Sequence, residues 1–462
     1  MPCSEQEFSQ ATTLLEQLLD SKEIARQLHK DGSACGQQVY TNAATIFALT
    51  LQRLGGGWTL KQTVKQMLDH HQDLMPQSNR RVQQQSLSED DSALDKARRK
   101  IPLQRVAEFC NSVAEQLARQ AAAQPGDRRV YIVDGTTISL PPTKDLAEHF
   151  PTARNQHGNS PWPTMHLLVA HELLSSCCLT PEIGAMYGSK ATGENRLFKE
   201  LVKRMPEDCV VMADAGFGIF STAYHCRQNA HRFVLGLTAQ RAAWHLRRAR
   251  RIDCQDGITS YRYRWRPSRK EQKSHPEIPA EASLEVMIYQ VQKQDGSVMY
   301  VLSDLEDSLE VVCGLYRRRY DGEFDIRDLK VTMNTESMRA RSYDTIMKEL
   351  YGSIIAYNLV VQFRRQAAAL RGLPPRRLSF SDVWLDFRTD LLGKSAEDFS
   401  AWTKLYQAAV QCASTRVLPD RRGKRSCPRV SYRKRPKATQ YELKNRQEAA
   451  KIRKEKQKRA LQ

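Results

Sequence analysis

Three acidic residues, far apart in the sequence, have the character of metal ligands. Asp134 ends the apolar run 130–133, and Asp214 ends the run 209–213. A carboxylate at the end of a buried strand is costly unless a cation or a metal ion meets it. With Glu323, the two aspartates provide three hard oxygen ligands, which suit Mg²⁺ or Mn²⁺. Taken alone, either aspartate is equally well explained as a turn-forming residue near a glycine.

The third acidic residue belongs to a charged group with helical spacing. Tyr316, Arg319, Glu323 and Lys330 are separated by three, four and seven residues. These steps would place all four on one face of a helix. For an arbitrary helix, the ordinary interpretation is a solvated stripe of ion pairs. The two strand-borne aspartates favour a catalytic carboxylate flanked by phosphate-binding cations.

Other chemistries have little support in the sequence. No glycine-rich loop follows a strand in the pattern that cradles a nucleotide, so no nucleotide cofactor is predicted. The eleven cysteines contain no C-x-x-C pair. We therefore expect reduced thiols rather than a disulfide framework or a cysteine zinc site, and interpret Cys177 and Cys178 as buried strand residues.

The charge of the chain indicates a polyanionic partner. The formal net charge is +19, and residues 421–462 hold 17 Lys or Arg against three acidic residues, a net +14. A solubilising tail is the alternative, but charge concentrated in this way favours binding to the phosphates of nucleic acid. The basic residues that we single out are Arg433, Lys434, Arg435 and Lys437.

Membrane insertion and secretion are not expected. The sequence begins without a basic segment followed by an apolar core, and its longest apolar runs are far short of the roughly 20 residues of a membrane span. We predict a soluble, cytoplasmic protein.

The periodicity of apolar residues divides the chain into helical and mixed parts. Up to residue 123 the pattern is helical, with helices over 41–54, 91–100 and 102–122, a break at the glycines 55–57, and Thr59 as an N-cap. Strands are expected over 130–140, 165–170, 173–179 and 209–217, with a helix over 192–205. Residues 232–302 are strand-rich, and amphipathic helices return over 310–369 and 395–413. The predicted fold class is multidomain α/β, with five regions: 1–125, 126–231, 232–305, 306–420 and 421–462.

The site residues together resemble those of a known family. Tyr316-x2-Arg319-x3-Glu323-x6-Lys330, preceded by Asp134 and Asp214, is similar to the motif of the DDE transposases of the insertion-sequence-four family. Further similar segments are Asp134-Gly-Thr-Thr, Asp214-Ala-Gly-Phe, Tyr357-Asn-Leu, Leu378-Ser-Phe and the basic tail around Pro436.

The resemblance implies a ribonuclease-H-like catalytic core with an all-helical DNA-binding domain before it, a strand-rich insertion at 232–305 and a basic tail after it. It implies two Mg²⁺ (or Mn²⁺) ions held by Asp134, Asp214 and Glu323, with phosphates bound by Arg319 and Lys330 and with Tyr316 beside them. The partners would be double-stranded DNA, at element ends and target, and a second copy in a homodimer on the nucleoid.

The function implied is cutting at the terminal inverted repeats of an insertion sequence and joining the ends to target DNA. Two alternatives stay open: an element-derived DNA-binding protein without catalysis, and a ribonuclease-H-like nuclease that cleaves without joining. Trp244 and Trp265 are candidates for stacking on a flipped base, and packing in the strand-rich region is the alternative for both.

Overall fold

The computed structural model describes residues 39–120, 128–155, 158–293, 296–392 and 399–419. The chain divides into two units, Met1–Leu418 and Pro419–Gln462, and every element below belongs to the first. The beginning of the predicted helical domain and the predicted basic tail, with Arg433, Lys434, Arg435 and Lys437, lie outside the described residues.

The described chain begins with helices whose ends follow the capping signals of the sequence. The Thr41 hydroxyl accepts a hydrogen bond from the Ala44 amide, and Gly55 ends that helix. Thr59 and Gln62 then form a reciprocal capping box, which satisfies amides that a helix start leaves unpaired. These boundaries confirm the predictions from the glycines and Thr59. The helices before the sheet are α1 (Asn42–Leu54), α2 (Leu60–His70), α3 (Arg80–Gln83), α4 (Ser92–Lys100) and α5 (Leu103–Gln120).

A large mixed sheet forms the centre of the described chain. Its strands are β1 (Val130–Ser139), β2 (Thr152–Asn155), β3 (Gly158–Glu172), β4 (Glu182–Ala185), β5 (Val210–Ala213), β6 (Arg232–Leu237), β7 (Arg250–Gln255), β8 (Ile258–Trp265), β9 (Leu284–Gln292) and β10 (Val298–Ser303). Their order is β2-β3-β1-β5-β6-β10-β9-β8-β7, and β4 also pairs with β3. Only β1 with β5 and β5 with β6 are parallel among these pairs. The helices within this region are α6 (Lys144–His149), α7 (Glu194–Leu201), α8 (Phe220–Gln228), α9 (Ala239–Leu246) and α10 (Arg269–Ser274). The fold is mixed α/β.

One predicted strand is replaced by a turn. The strand expected over 165–170 is part of the longer β3, but residues 173–179 do not form a second strand of that length. The Glu172 carboxylate accepts hydrogen bonds from the Leu174 and Ser175 amides, and Ser176 has φ 71°. The local carboxylate therefore closes a tight turn, in which Cys178 is buried as predicted but not in a strand.

The strand-rich region does not form a separate sheet. The boundary predicted at 231/232 falls immediately before β6, which is a central strand parallel to β5. β10 pairs with β6, and β9, β8 and β7 follow outward. Backbone hydrogen bonding thus continues from the first strands through residues 232–303, because the free edge of β6 accepts β10 as its neighbour.

The last helices surround one that is buried along its whole length. They are α11 (Leu309–Arg317), α12 (Tyr320–Arg327), α13 (Tyr343–Ala369), α14 (Phe380–Phe387) and α15 (Phe399–Ala413). α13 was predicted to be amphipathic, but it is buried on nearly all sides, and its polar residues form internal ion pairs. Arg53 of α1, for example, lies 3.0 Å from Glu349 with both side chains buried. None of the described helices combines the length and apolar character required to traverse a membrane.

Helix α13 also fixes the turn that follows β3. The Asn358 side chain accepts a hydrogen bond from the Cys178 amide at 2.8 Å and donates one to the Cys178 carbonyl at 2.8 Å. The Tyr357 hydroxyl donates to the Ser176 carbonyl at 3.1 Å. All four residues are buried, so these backbone groups have no access to water if the side chains are removed.

We expect Asn358→Ala to lower the free energy of unfolding by about 2–4 kcal/mol, because it leaves a buried amide and a buried carbonyl of Cys178 unpaired. Urea denaturation measures the change. Ser353→Ala is the matched control on the same helix, since within the described residues its hydroxyl bonds only to the Glu349 carbonyl one turn back. This substitution should cost less than about 1 kcal/mol. An equal loss of unfolding free energy in the two variants would contradict the role of Asn358 in holding the turn around Cys178.

Candidate active site

Asp134 and Asp214 lie next to each other on parallel strands. β1 and β5 pair in register up to Val133 and Ala213, so the aspartates are the next pair along. Residues opposite each other on parallel strands about 4.8 Å apart point to the same face. That face carries Ile132 in a buried apolar cluster. The topology therefore brings together two carboxylates that are 80 residues apart in the sequence.

The electrostatics of this pair disfavour a free negative charge. The pKa of Asp134 is raised to about 6, chiefly by burial and also by the neighbouring charge of Asp214, while the hydrogen bond from the Gly135 amide opposes the rise. That amide donates to Asp134 Oδ1 at 2.8 Å, and the Gly216 amide donates to Asp214 Oδ1 at 2.8 Å. Two half-buried carboxylates in mutual repulsion are a suitable environment for a divalent cation.

Helix α12 carries Glu323 across the same face of the sheet. A Cβ atom on Gly322 would lie 2.6 Å from Ile132 Cγ2, so glycine permits α12 to pack directly on β1, two residues before Asp134. One turn further along the helix, Asp325 is buried and lies 2.6 Å from Arg376 Nη2. Glu323 itself is about half exposed, at 52% of its side chain. Close packing at Gly322 and a buried ion pair at Asp325 thus fix the helix that presents this carboxylate.

Arg319 connects the two acidic elements. Its Nη2 lies 2.9 Å from Glu323 Oε1, and its positive charge lowers the pKa of Asp134, opposing the burial and the Asp214 charge that raise it. The guanidinium also stacks over the Tyr320 ring at 4.4 Å. Tyr316 precedes it and is buried, at 7% exposure. A Cβ atom on Gly236 would collide with the Tyr316 hydroxyl, so the ring packs on β6 instead of facing solvent.

The predicted single helix from Tyr316 to Lys330 is wrong in detail. α11 ends at Arg317, and the amides of Arg319 and Gly322 bond to carbonyls three residues back, which tightens the turn into α12. Residues 328–332 then form a wide π-helical turn. Lys330 lies in that turn and is half-buried, and no hydrogen bond or ion pair links its ammonium group to the described part of the chain. Uneven helical turns thus replace the uniform 3.6-residue period on which the prediction rested.

The three carboxylates do not converge on a single point. Within the described ranges, only one group of three potential metal-ligand atoms lies within 4.8 Å, and it consists of His225, His275 and Glu277. Glu323 instead faces Arg319. Asp134, Asp214 and Glu323 nevertheless offer the oxygen donors that Mg²⁺ and Mn²⁺ prefer, and a site for two ions does not require one common ligand position.

Glu194 is an acidic neighbour that the sequence analysis did not identify. It lies in the first turn of α7, and its charge contributes to the raised pKa of Asp134. A Cβ atom on Gly135 would collide with its carboxylate. Its Oε1 lies 3.6 Å from His166 Nε2. An acidic residue at a helix start is common, so its position in the sequence gave no specific signal.

Arg241 is a second residue that the sequence did not reveal. From α9 its Nη1 donates to the Ala215 carbonyl at 2.6 Å, which holds the turn directly after Asp214. A Cβ atom on Gly218 would collide with the Gly236 carbonyl, so this turn packs tightly on β6. The strand-rich region therefore contributes directly to the position of a catalytic candidate.

The two tryptophans of the strand-rich region occupy different environments. Trp265 is buried, at 2% exposure, and its ring packs against Phe220 at a centroid distance of 5.5 Å. Trp244 is 45% exposed, with the Arg248 guanidinium 4.2 Å from its ring centre. The packing interpretation thus describes Trp265, whereas Trp244 offers a ring face to solvent.

Comparison with known proteins connects this geometry to a family. Residues 125–359, just over half of the chain, match the family model described as "Transposase DDE domain". The chain belongs to this family. The matched residues of the DDE transposase domain include Asp134, Asp214 and Glu323. Divalent metal ions are general in this family, in agreement with the oxygen-rich donor set.

Individual relatives of this DDE transposase domain are more distant. The chain is 24% identical over 305 residues to transposase InsG for insertion sequence element IS4 of Escherichia coli (strain K12), covering 63% of this chain and 65% of InsG. The match therefore spans less than two thirds of that curated relative. A cryo-EM structure of the piggyBac transposase synaptic complex with hairpin DNA aligns at 13% identity and a TM-score of 0.39, over 91% of this chain and 87% of that chain.

Replacing Asp134 with a neutral residue should stabilise the metal-free DDE domain in a pH-dependent way. The pKa of Asp134 is about 6 in the folded protein and near ~3.9 in an unfolded chain. Ionisation therefore weakens the fold as the pH rises through this interval. We expect Asp134→Asn to raise the free energy of unfolding above pH ~6 and to have little effect below pH ~4.

Urea denaturation in EDTA at both pH values measures this difference. Glu281→Gln, at an exposed acidic residue, is the control and should show no such dependence. A variant that is equally stabilised at both pH values, or destabilised at the higher one, would contradict the raised pKa of Asp134.

Proposed function

We propose that this chain is a DNA transposase that cuts at the terminal inverted repeats of an insertion sequence and joins the freed ends to target DNA. The observation that carries the proposal is the position of Asp134 on β1 beside Asp214, which directly follows the parallel strand β5, with the Glu323 helix packed on β1. The similarity to transposase InsG supports it.

The core of the sheet is proposed to be ribonuclease-H-like. Support comes from the central strand β1, which is antiparallel to β3 on one side and parallel to β5 on the other, with acidic residues where β1 and β5 are adjacent. Asp134, Asp214 and Glu323 would together hold two Mg²⁺ or Mn²⁺ ions. Two such ions activate an attacking hydroxyl and stabilise the leaving oxygen of a phosphodiester.

The cations beside the carboxylates would hold the DNA backbone. Arg319 is mostly buried beside Glu323, so its guanidinium is already oriented for bidentate binding of a phosphate. Lys330 in the π-helical turn is proposed as a second phosphate contact. The burial of Tyr316 favours a supporting role: its ring would position Arg319 from behind instead of stacking on a base.

The remaining parts of the chain are proposed to bind DNA away from the chemistry. The N-terminal helices up to residue 125 would recognise the element ends, and the basic residues of 421–462 would add affinity for the phosphate backbone. A homodimer would hold two ends together, and the protein would associate with the nucleoid.

One assay separates this proposal from the two alternatives. The full chain is incubated with Mg²⁺ and a plasmid that bears the inverted repeats flanking its coding region. Joined products support a transposase, whereas cleavage without joining identifies a nuclease. Binding without cleavage identifies an element-derived DNA-binding protein.

Single substitutions of the three carboxylates should separate catalysis from binding. We expect Asp134→Ala, Asp214→Ala and Glu323→Ala each to reduce cleavage by more than about 100-fold, because each removes a direct metal ligand. DNA affinity in a gel-shift assay should stay nearly unchanged, since no phosphate contact is lost. Glu310→Ala, at an exposed acidic residue of α11, is the control and should cleave normally. Normal cleavage by any of the three variants would refute the proposed site.

The tail should determine the salt dependence of binding. Each phosphate contact contributes about −0.9 to the slope of log K against log salt concentration on duplex DNA. Replacing Arg433, Lys434, Arg435 and Lys437 with Gln should therefore flatten that slope by roughly 3–4 if all four contact DNA. Fluorescence anisotropy over a salt series measures the slope. An unchanged slope would show that these residues do not contact DNA.

A further inference from the structure

A second candidate metal site lies on the other side of the sheet. His225 is in α8, which packs with α7 on the face that carries Val133 and Val211, whereas α11 packs on the face that carries Ile132. His275 ends α10, and Glu277 follows two residues later. The strand-rich region thus supplies two of the three side chains to a helix of the central sheet.

The spacing of the three side chains fits a tetrahedral metal ion. Glu277 Oε1 lies 3.6 Å from His225 Nε2 and 3.5 Å from His275 Nδ1, and all three atoms lie within 4.8 Å of one another. A tetrahedral zinc ion with bonds of about 2.0–2.2 Å separates its ligand atoms by roughly 3.3–3.6 Å. Two imidazoles and a carboxylate form a donor set that zinc uses, and nitrogen ligands disfavour Mg²⁺.

An unpaired buried nitrogen points into this cluster. His225 is 7% exposed, and its Nε2 has no hydrogen-bond partner in the described chain. A buried polar atom without a partner costs free energy, and a metal ion would remove that cost. Burial and the charge of Lys199 lower the pKa of His225.

We propose that His225, His275 and Glu277 bind a zinc-type divalent ion that fastens the strand-rich region to helix α8. The ion would be structural and separate from the carboxylate site of Asp134. Helices α8 and α10 are already connected by a hydrogen bond, which Glu271 of α10 accepts from the Phe220 amide at the start of α8. The metal would add a second connection, one turn further along α8.

Lys199 competes for the same carboxylate. Its Nζ lies 2.7 Å from Glu277 Oε1, and this hydrogen bond lowers the pKa of Glu277 to about 2. Both side chains are about one third exposed, so the ammonium group can move to the second carboxylate oxygen when a metal binds the first. Removing the charge of Lys199 should therefore strengthen metal binding. If His225, His275 and Glu277 formed ion pairs without binding a metal, this substitution would not change the affinity for zinc.

The test is zinc binding to the full chain after EDTA treatment, by equilibrium dialysis against micromolar Zn²⁺ with millimolar Mg²⁺ present to occupy carboxylate sites. We expect the wild-type chain to bind one more Zn²⁺ ion than the His275→Ala or the Glu277→Gln variant binds. The affinity of that site should fall on the order of 100-fold in each variant. Lys199→Met should raise it, and Zn²⁺ should raise the melting temperature of wild type but not of His275→Ala.

His149→Ala, at an exposed histidine elsewhere, is the matched control and should bind zinc as wild type does. Equal zinc content in wild type, His275→Ala and Glu277→Gln would overturn the proposal, as would a Lys199→Met variant that binds no more tightly. The proposed transposase activity is not tested by these measurements, because the readouts are zinc content and melting temperature.

Discussion

The repulsion between Asp134 and Asp214 is the constraint on which the rest of the candidate site depends. Parallel pairing of β1 and β5 places the two carboxylates on one face, and burial together with the second charge raises the pKa of Asp134. Backbone amides of Gly135 and Gly216 offset part of this cost, and the positive charge of Arg319 offsets a further, smaller part at Asp134. What remains is a site with excess negative charge that favours divalent cations.

The surrounding structure holds that charge in place by close packing. Gly322 and Gly236 lack the side chains that would push α12 and Tyr316 off the sheet, and Arg241 ties down the turn after Asp214. In the turn that follows β3, the Asn358 side chain holds the backbone of Cys178. Asp134 therefore lies on a strand and Glu323 on a helix, and Asp214 directly follows β5 in a turn that Arg241 holds. A two-metal mechanism would need such restraint because the reacting atoms tolerate little displacement.

The sequence predicted the helix ends and central strands that neighbouring residues determine. It missed most features that depend on contacts between residues distant in the sequence. Gly55 and Thr59 set helix ends through contacts with residues a few positions away, so their signals were sufficient, and the apolar runs before Asp134 and Asp214 revealed two central strands. The turn after β3 was missed because the local signal of Glu172, which bonds to the Leu174 amide, was not recognised, and because Asn358 of α13 holds Cys178 across 180 residues of sequence. Pairing of β10 with β6 is likewise non-local. Glu194 and Arg241 have ordinary sequence surroundings, and only the fold brings them to the site.

The account is tested most directly by locating divalent metal in crystals of the full chain. Mn²⁺ can be soaked in as a visible substitute for Mg²⁺, and an anomalous difference map then shows its position. The account predicts peaks between Asp134, Asp214 and Glu323, with carboxylate oxygens at roughly 2.1 Å. Manganese bound elsewhere, with these three carboxylates free of it at saturating concentration, would contradict the central claim.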